Sequence, residues 1–262
     1  MVSKITLPSV KQAFLLHFAV SLIVFVALVA IMRLIWYPGD LFFMDGGWQG
    51  LKILAPIDLV LGPALTLCFY RPWKKNLKFD MGAIAAVQIA ALSFGVYTTY
   101  QQRTAAIVFA ENRFETLSLA EYNAATAKMR EEDLQPKSLD DFPGSMPVVL
   151  HAKSFTEDFG QYLADVMNGL PELRERSDRY SAIADSRAEI AEYRHKSQSD
   201  GTGIAGLPSS SGTVEISASA KPATGTNTNP AEIYPLKARY ANGTIEFDRS
   251  NFEWIAIKRE AE

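Results

Sequence analysis

Asp58, Gly62 and Thr66 follow one another at four-residue intervals inside an otherwise apolar stretch. At that spacing they share one face of a helix. A carboxylate at the centre of an apolar helix costs about 2.5–3.5 kcal/mol on insertion scales, so such a group faces protein and needs a partner. Counting about 1.5 Å per residue from the middle of each apolar run sets Gln88 and Ser93 at the depth of Asp58. Arg33 can reach the same level by snorkelling. These three are the expected partners of Asp58, and His17, near the opposite face, is a poor one. The chemistry such a face offers is helix docking. Asp58, Gly62, Thr66 and, on the third run, Gly95 present small and polar positions against which another apolar helix packs. The other reading is a hydrogen-bonding and packing point among the chain's own helices, and both stay open. One carboxylate in three helices makes no proton relay, and there is no second aspartate at depth for an aspartyl protease pair.

Little else in the chain points to chemistry. The three histidines, His17, His151 and His195, have no metal-ligand spacing. His151 beside Glu157 or Asp158 is an ordinary strand-end histidine. There is no GxSxG, P-loop, HExxH or GxGxxG before a helix. The one cysteine, Cys68, lies in an apolar run, so there is no disulfide framework. A net charge of −3 gives no basic footprint for nucleic acid. No catalytic residue, cofactor, metal or small-molecule substrate is expected.

The elements that must carry the Asp58 face are membrane spans. The mean hydropathy of the 262 residues is near zero, but the average hides two unlike parts: residues 12–100 are dominated by Leu, Ile, Val, Phe and Ala, and 101–262 hold most of the charge. A bilayer core needs about 20 apolar residues in a helix. Three runs meet this, at about 12–36, 50–70 and 80–100. The first is too long for a signal peptide and is followed by no small-residue cleavage site. Trp36 and Tyr37 read as an interfacial belt, with Pro38 and Gly39 ending the helix. Lys4 and Lys11 precede the first run, and Arg71, Lys74, Lys75 and Lys78 lie between the second and third. The loop between the first two carries Asp40 and Asp45 and no basic residue. Excess Lys and Arg marks the cytoplasmic side, so the N-terminus is expected inside the cell and everything after residue 100 outside, in the periplasm of a bacterium with an outer membrane.

The organisation read from the chain is 1–103 as a three-helix anchor, 104–196 as a periplasmic α+β domain, 197–230 as a flexible linker, and 231–262 as a C-terminal β-hairpin completing that domain. Within it, strands are expected at 105–110, 113–117 and 147–152. Ser118 and Glu121 form a capping box opening a helix over 119–133, and Ser154 with Glu157 opens another. Residues 172–195 read as a charged, Arg- and Glu-rich helix. Residues 197–230 are rich in Ser, Thr, Gly and Asn. Tyr234, Leu236, Ala238 and Tyr240 alternate with polar positions, and Asn242-Gly243 predicts a type I′ hairpin turn. FEWIAIK, 252–258, reads as a third strand.

Several segments in this order resemble the TfpX/TfpZ family of type IV pilin accessory proteins. They are WYPGDL (36–41), IDLVLGPALTL (57–67), RPWKKNLKFD (71–80), VYTTYQQR (96–103), IVFAENRFE (107–115) and YPLKARY (234–240). The resemblance covers the first 120 residues and, more loosely, the final hairpin. It implies a multi-pass inner-membrane accessory factor, chaperone-like and not an enzyme, for one type IV major pilin. Its partners are then the pilin's transmembrane helix, its periplasmic head and the lipid bilayer. A membrane-anchored sensor or a membrane enzyme acting on pilin are the alternatives. The first lacks a cytoplasmic output domain and the second lacks a catalytic constellation.

Overall fold

The computed structural model describes residues 9–155, 159–192 and 231–260. It divides into two compact units, Met1–Arg103 and Thr104–Glu262.

The first unit is helical. Helix α1, Val10–Ile31, opens on a capping box. The Gln12 amide donates to the Ser9 hydroxyl at 3.3 Å, and the Ser9 amide donates to the Gln12 side chain at 2.8 Å. A π turn, Met32–Trp36, continues α1. The short α2, Leu41–Met44, leads into α3, Gly47–Ala55, a second π turn, Pro56–Leu61, and α4, Gly62–Phe69. Pro63 has no N–H to give the preceding turn, and the α geometry breaks just before it. Helix α5 spans Leu77–Gln101. Three continuous helices, Val10–Trp36, Gly47–Phe69 and Leu77–Gln101, are thus long and apolar enough to cross a membrane. Tyr37, read from the sequence as part of an interfacial belt, packs against protein. It is wholly buried, and its hydroxyl donates to the Thr99 carbonyl at 3.3 Å.

The second unit is a seven-stranded sheet with helices, ordered β4-β3-β1-β2-β5-β6-β7. Strands β1 (Thr104–Ala110) and β2 (Arg113–Ser118) are antiparallel. Glu111 and Asn112 between them both have positive φ, 48° and 70°, as a two-residue turn matched to strand twist requires. Helix α6, Leu119–Glu131, starts at the predicted capping box: the Glu121 amide donates to the Ser118 hydroxyl at 3.2 Å. It returns the chain to β3, Val148–Ala152, parallel to β1. Helix α7 covers Phe159–Met167. The predicted box at its start involves Glu157, outside the described residues, as does the linker expected at 197–230. Strand β4, Tyr180–Ala182, borders β3. Strand β5, Glu232–Lys237, runs parallel to β2, followed by antiparallel β6, Asn242–Phe247, and β7, Trp254–Arg259.

Strand β1 is buried along its whole length. Ala106, Val108, Leu117, Leu139, Val148, Leu150, Leu173 and Tyr180 make one apolar core. Phe114 meets Phe109, Tyr234 and Phe247 at ring separations of 5.0, 5.5 and 5.4 Å, and Phe252 stacks on Phe247 at 4.6 Å.

Two expectations are corrected here. Asn242 and Gly243 form no turn: they pair with Lys237 and Leu236 inside the β5–β6 ladder, and Ala238–Ala241 makes the connection. A turn at Asn242-Gly243 would set Tyr234 opposite Asn251. The observed register sets it opposite Ile245 and beside Phe247, so the aromatic cluster outweighs the local turn preference. Residues 172–195 are likewise not one helix. Single 3₁₀ turns at Leu173–Glu175 and Ser177–Arg179 precede β4, another follows at Ile183–Ser186, and only 187–192 are α-helical among the described residues. The charged residues there are anchors. Arg174 donates to the Thr116 carbonyl at 2.9 Å and to Glu121 at 3.1 Å. Arg176 holds Asp178 at 2.9 Å and Asp165 at 3.3 Å. Tyr180, fully buried, donates to the Arg174 carbonyl. A regular helix would fan these side chains apart.

Candidate functional site

The helical unit keeps its polar groups inside. On α1, His17 and Ser21 lie one turn apart on the inward stripe that also carries Ala13 and Leu28. Asp58 sits in the π turn, and Gly62 and Thr66 follow on α4. All three are buried, Asp58 to 2% exposure. Gln88 reaches in from α5 and joins the elements together. Its Nε2 donates to Asp58 Oδ1 at 2.9 Å and approaches Ser21 Oγ at 3.2 Å, and its Oε1 lies 2.7 Å from His17 Nε2. His17 Nδ1 is 2.6 Å from Thr66 Oγ1, which lies 3.3 Å from the Gly62 carbonyl.

The directions follow from the carboxamide. With Nε2 of Gln88 donating to the carboxylate, its Oε1 must accept, so Nε2 of His17 carries the proton. One side chain therefore cross-links all three long helices. Gly62 makes this possible: a Cβ there would overlap the Gln88 carboxamide. Among the described residues, Oδ2 of Asp58 has no hydrogen-bond partner.

Of the three partners expected for Asp58, Gln88 bonds to it. Ser93 is exposed on α5. Arg33 is turned elsewhere: it donates to the Gly39 carbonyl and lies 5.9 Å from the Phe42 ring centre. It caps the loop after the first long helix and does not descend to Asp58. Gly95 packs against Leu54. The expected docking face of Asp58, Gly62, Thr66 and Gly95 is therefore occupied by the chain's own His17, Gln88 and Leu54. Sequence reasoning set His17 aside as a partner of Asp58, and His17 indeed bonds elsewhere, to Thr66 and Gln88; what it did not foresee is that role. The signal was present: consecutive helices joined by a short loop run antiparallel, so a residue early on α1 is level with one late on α4, and His17 meets Thr66.

No metal-holding group of three or more His, Cys, Asp or Glu occurs among the described residues. In the sheet unit, His151 is buried on β3 with Nε2 3.7 Å from Glu189. Burial lowers its pKa below the usual 6.5, and the Glu189 carboxylate opposes this shift. His195, Glu157 and Asp158 lie outside the described residues.

Comparison with known proteins supplies what the geometry does not. The chain is 31% identical over 117 residues to the fimbrial assembly protein of serogroups C1 and C2 of Dichelobacter nodosus, a match covering 41% of this chain and 89% of that relative. The chain belongs to the fimbrial assembly protein family. Fimbrial assembly proteins of serogroups E1 and I from the same organism are 31% and 32% identical over 117 residues, again 41% of this chain. The match spans 46% of the length of each of these two relatives. No family model and no solved structure matches the chain. For a fimbrial assembly protein, the polar cluster gives the three long helices a defined mutual arrangement, which apolar contacts alone leave loose.

Proposed function

We propose that this fimbrial assembly protein is an inner-membrane accessory factor of the TfpX/TfpZ type. It stabilises one type IV major pilin before assembly and promotes that pilin's incorporation into surface pili. The observation that carries the reading is the match to relatives named for fimbrial assembly. Three helices able to cross a membrane support it, because an unassembled pilin is itself an apolar helix bearing a soluble head. In this reading the N-terminus is cytoplasmic, the sheet unit is periplasmic, and no bond is made or broken.

The inward Asp58–Gly62–Thr66 face then acts as a clamp that fixes the spans. The pilin helix docks on their outer sides, where Ile23, Ile53 and Ile89 are each more than 60% exposed. The sheet unit covers the pilin head, with the outer strand β7 and its exposed Ile255 offering an edge. The test is deletion of the gene, followed by immunoblotting of the major pilin and counting of surface pili. Both fall under this reading. Unchanged pilin and unchanged piliation sink it.

A further inference from the structure

At one end of the helical unit, positive charges stand unpaired. Helix α4 ends at Phe69 and α5 begins at Leu77, so residues 70–76 join two helices able to cross a membrane and lie at a bilayer face. Tyr70 and Leu77 are buried against Ala13, with Val10 and Met81 packed on them. This apolar plug draws the start of α1 to the same end, and Lys11 with it. Among the described residues, five cations therefore gather here, Lys11, Arg71, Lys74, Lys75 and Lys78, against one carboxylate, Asp80.

Two of the five are engaged. The Arg71 guanidinium donates to the Leu67 and Tyr70 carbonyls at 3.3 and 3.0 Å, closing the end of α4. Lys74 holds Asp80 at 2.5 Å. Lys11, Lys75 and Lys78 are exposed and have no hydrogen-bond or ion-pair partner among the described residues. The opposite end of the same helices is different. There Arg33 donates to the Gly39 carbonyl, Lys52 lies 5.3 Å from the Trp48 ring centre, and Arg103 lies 4.4 Å from that of Tyr100. The lysine-rich end also carries the two most exposed aromatic side chains among the described residues, Trp73 at 80% and Phe79 at 78%.

Three unpaired ammonium groups at a bilayer face attract anionic headgroups. A zwitterionic headgroup brings its own ammonium, which competes with lysine for the phosphate. An anionic one leaves its phosphate oxygens open to lysine, which binds phosphate as a point charge. The aromatic pair favours a lipid over a dissolved phosphate ion, because such rings settle at the headgroup level of the bilayer and a free ion gives them nothing to pack on.

We propose that this end of the bundle is a binding site for an anionic phospholipid. Lys75 and Lys78, with Lys11 from α1, hold the headgroup phosphate, and Trp73 and Phe79 pack beside its glycerol and first acyl carbons. The site rests on the spans and the turn between them, and so stands apart from the pilin reading.

The test is native mass spectrometry of the full chain, purified in a neutral detergent and incubated with equal amounts of phosphatidylglycerol and phosphatidylethanolamine of the same acyl chains. The expected result is at least about threefold more phosphatidylglycerol than phosphatidylethanolamine on the chain. The triple change Lys11→Ala, Lys75→Ala and Lys78→Ala should bring the two to parity. The same three positions changed to Arg should keep the preference, and Lys52→Ala at the other end should leave it as it is. Four results overturn the proposal. Equal retention of both lipids by the parent means there is no anionic site. A preference that survives the triple change to Ala places the site elsewhere. A loss in Lys52→Ala as large as in the triple change means the preference follows overall charge. Release of bound phosphatidylglycerol by an equal concentration of inorganic phosphate means the site takes a free anion.

Discussion

The helical unit and the sheet unit are built to opposite rules. In the first, Asp58, Thr66 and Ser21 are buried while Leu15, Ile23 and Leu34 are 61%, 70% and 74% exposed. In the second, Ile107, Val108, Leu150 and Phe114 are buried to zero exposure and charges such as Lys237 and Lys258 lie outside. A carboxamide holds the first interior together and an aromatic cluster the second. The difference is the solvent each unit meets. Apolar contacts gain little between helices already in hydrocarbon, so hydrogen bonds and close approach set their arrangement. In water, removal of apolar surface dominates.

The sharpest way to break this contrast is to exchange the interior groups. Phe114→Ala leaves Phe109, Tyr234 and Phe247 around a void and should cost the sheet unit about 3–5 kcal/mol, read as a lower thermal midpoint for the probes of that unit. Ile23→Ala, on the outer surface of α1, should cost under about 1 kcal/mol in detergent micelles, which solvate that surface as lipid does. Equal losses would contradict the assignment of solvents.

Gln88→Leu comes next. It preserves bulk but leaves Asp58 Oδ1 and His17 Nε2 without partners. About 1–3 kcal/mol of helical-unit stability should be lost, measured by unfolding in mixed micelles. A neutral outcome would mean the cluster is incidental to packing.

The smallest effect is a pH dependence of the sheet unit. The pKa of folded His151 is lowered by burial, so on acidification the unfolded chain takes up its proton first. Stability from this group is therefore complete above about pH 6.5, and falls as pH drops below that value toward the folded pKa. His151→Leu should flatten this part of the stability–pH curve relative to the parent. A curve unchanged by the substitution would show that His151 is not the group responsible.

What was legible in the sequence follows the same division. The long helices could be read because length and apolarity are local properties, and each boundary fell within three residues. The Ser118 capping box and strands β1 to β3 were readable for the same reason. The β5–β6 register was not, because contacts of Phe114, Tyr234 and Phe247 between distant segments override an Asn-Gly preference. Residues 173–186 misled because Arg174 and Arg176 look like the solvated face of a helix, and only the fold supplies Thr116, Glu121 and Asp165 as their partners. At the cluster, depth counting set Asp58 level with Gln88. It left out the place of His17 because it sought partners for Asp58 alone and did not set the start of α1 level with the end of α4, where Thr66 lies.

Photocross-linking in living cells tests most directly the central claim that the outer sides of the long helices hold a pilin. With a photoreactive residue in place of Ile89, exposed on α5, the account predicts a light-dependent adduct that antibodies to both the major pilin and this chain recognise. Ser250 in the sheet unit serves as the comparison position and should give less of it. Absence of any pilin adduct from Ile89, Ile23 and Ile53, in cells that still make pili and the labelled chain, would contradict it.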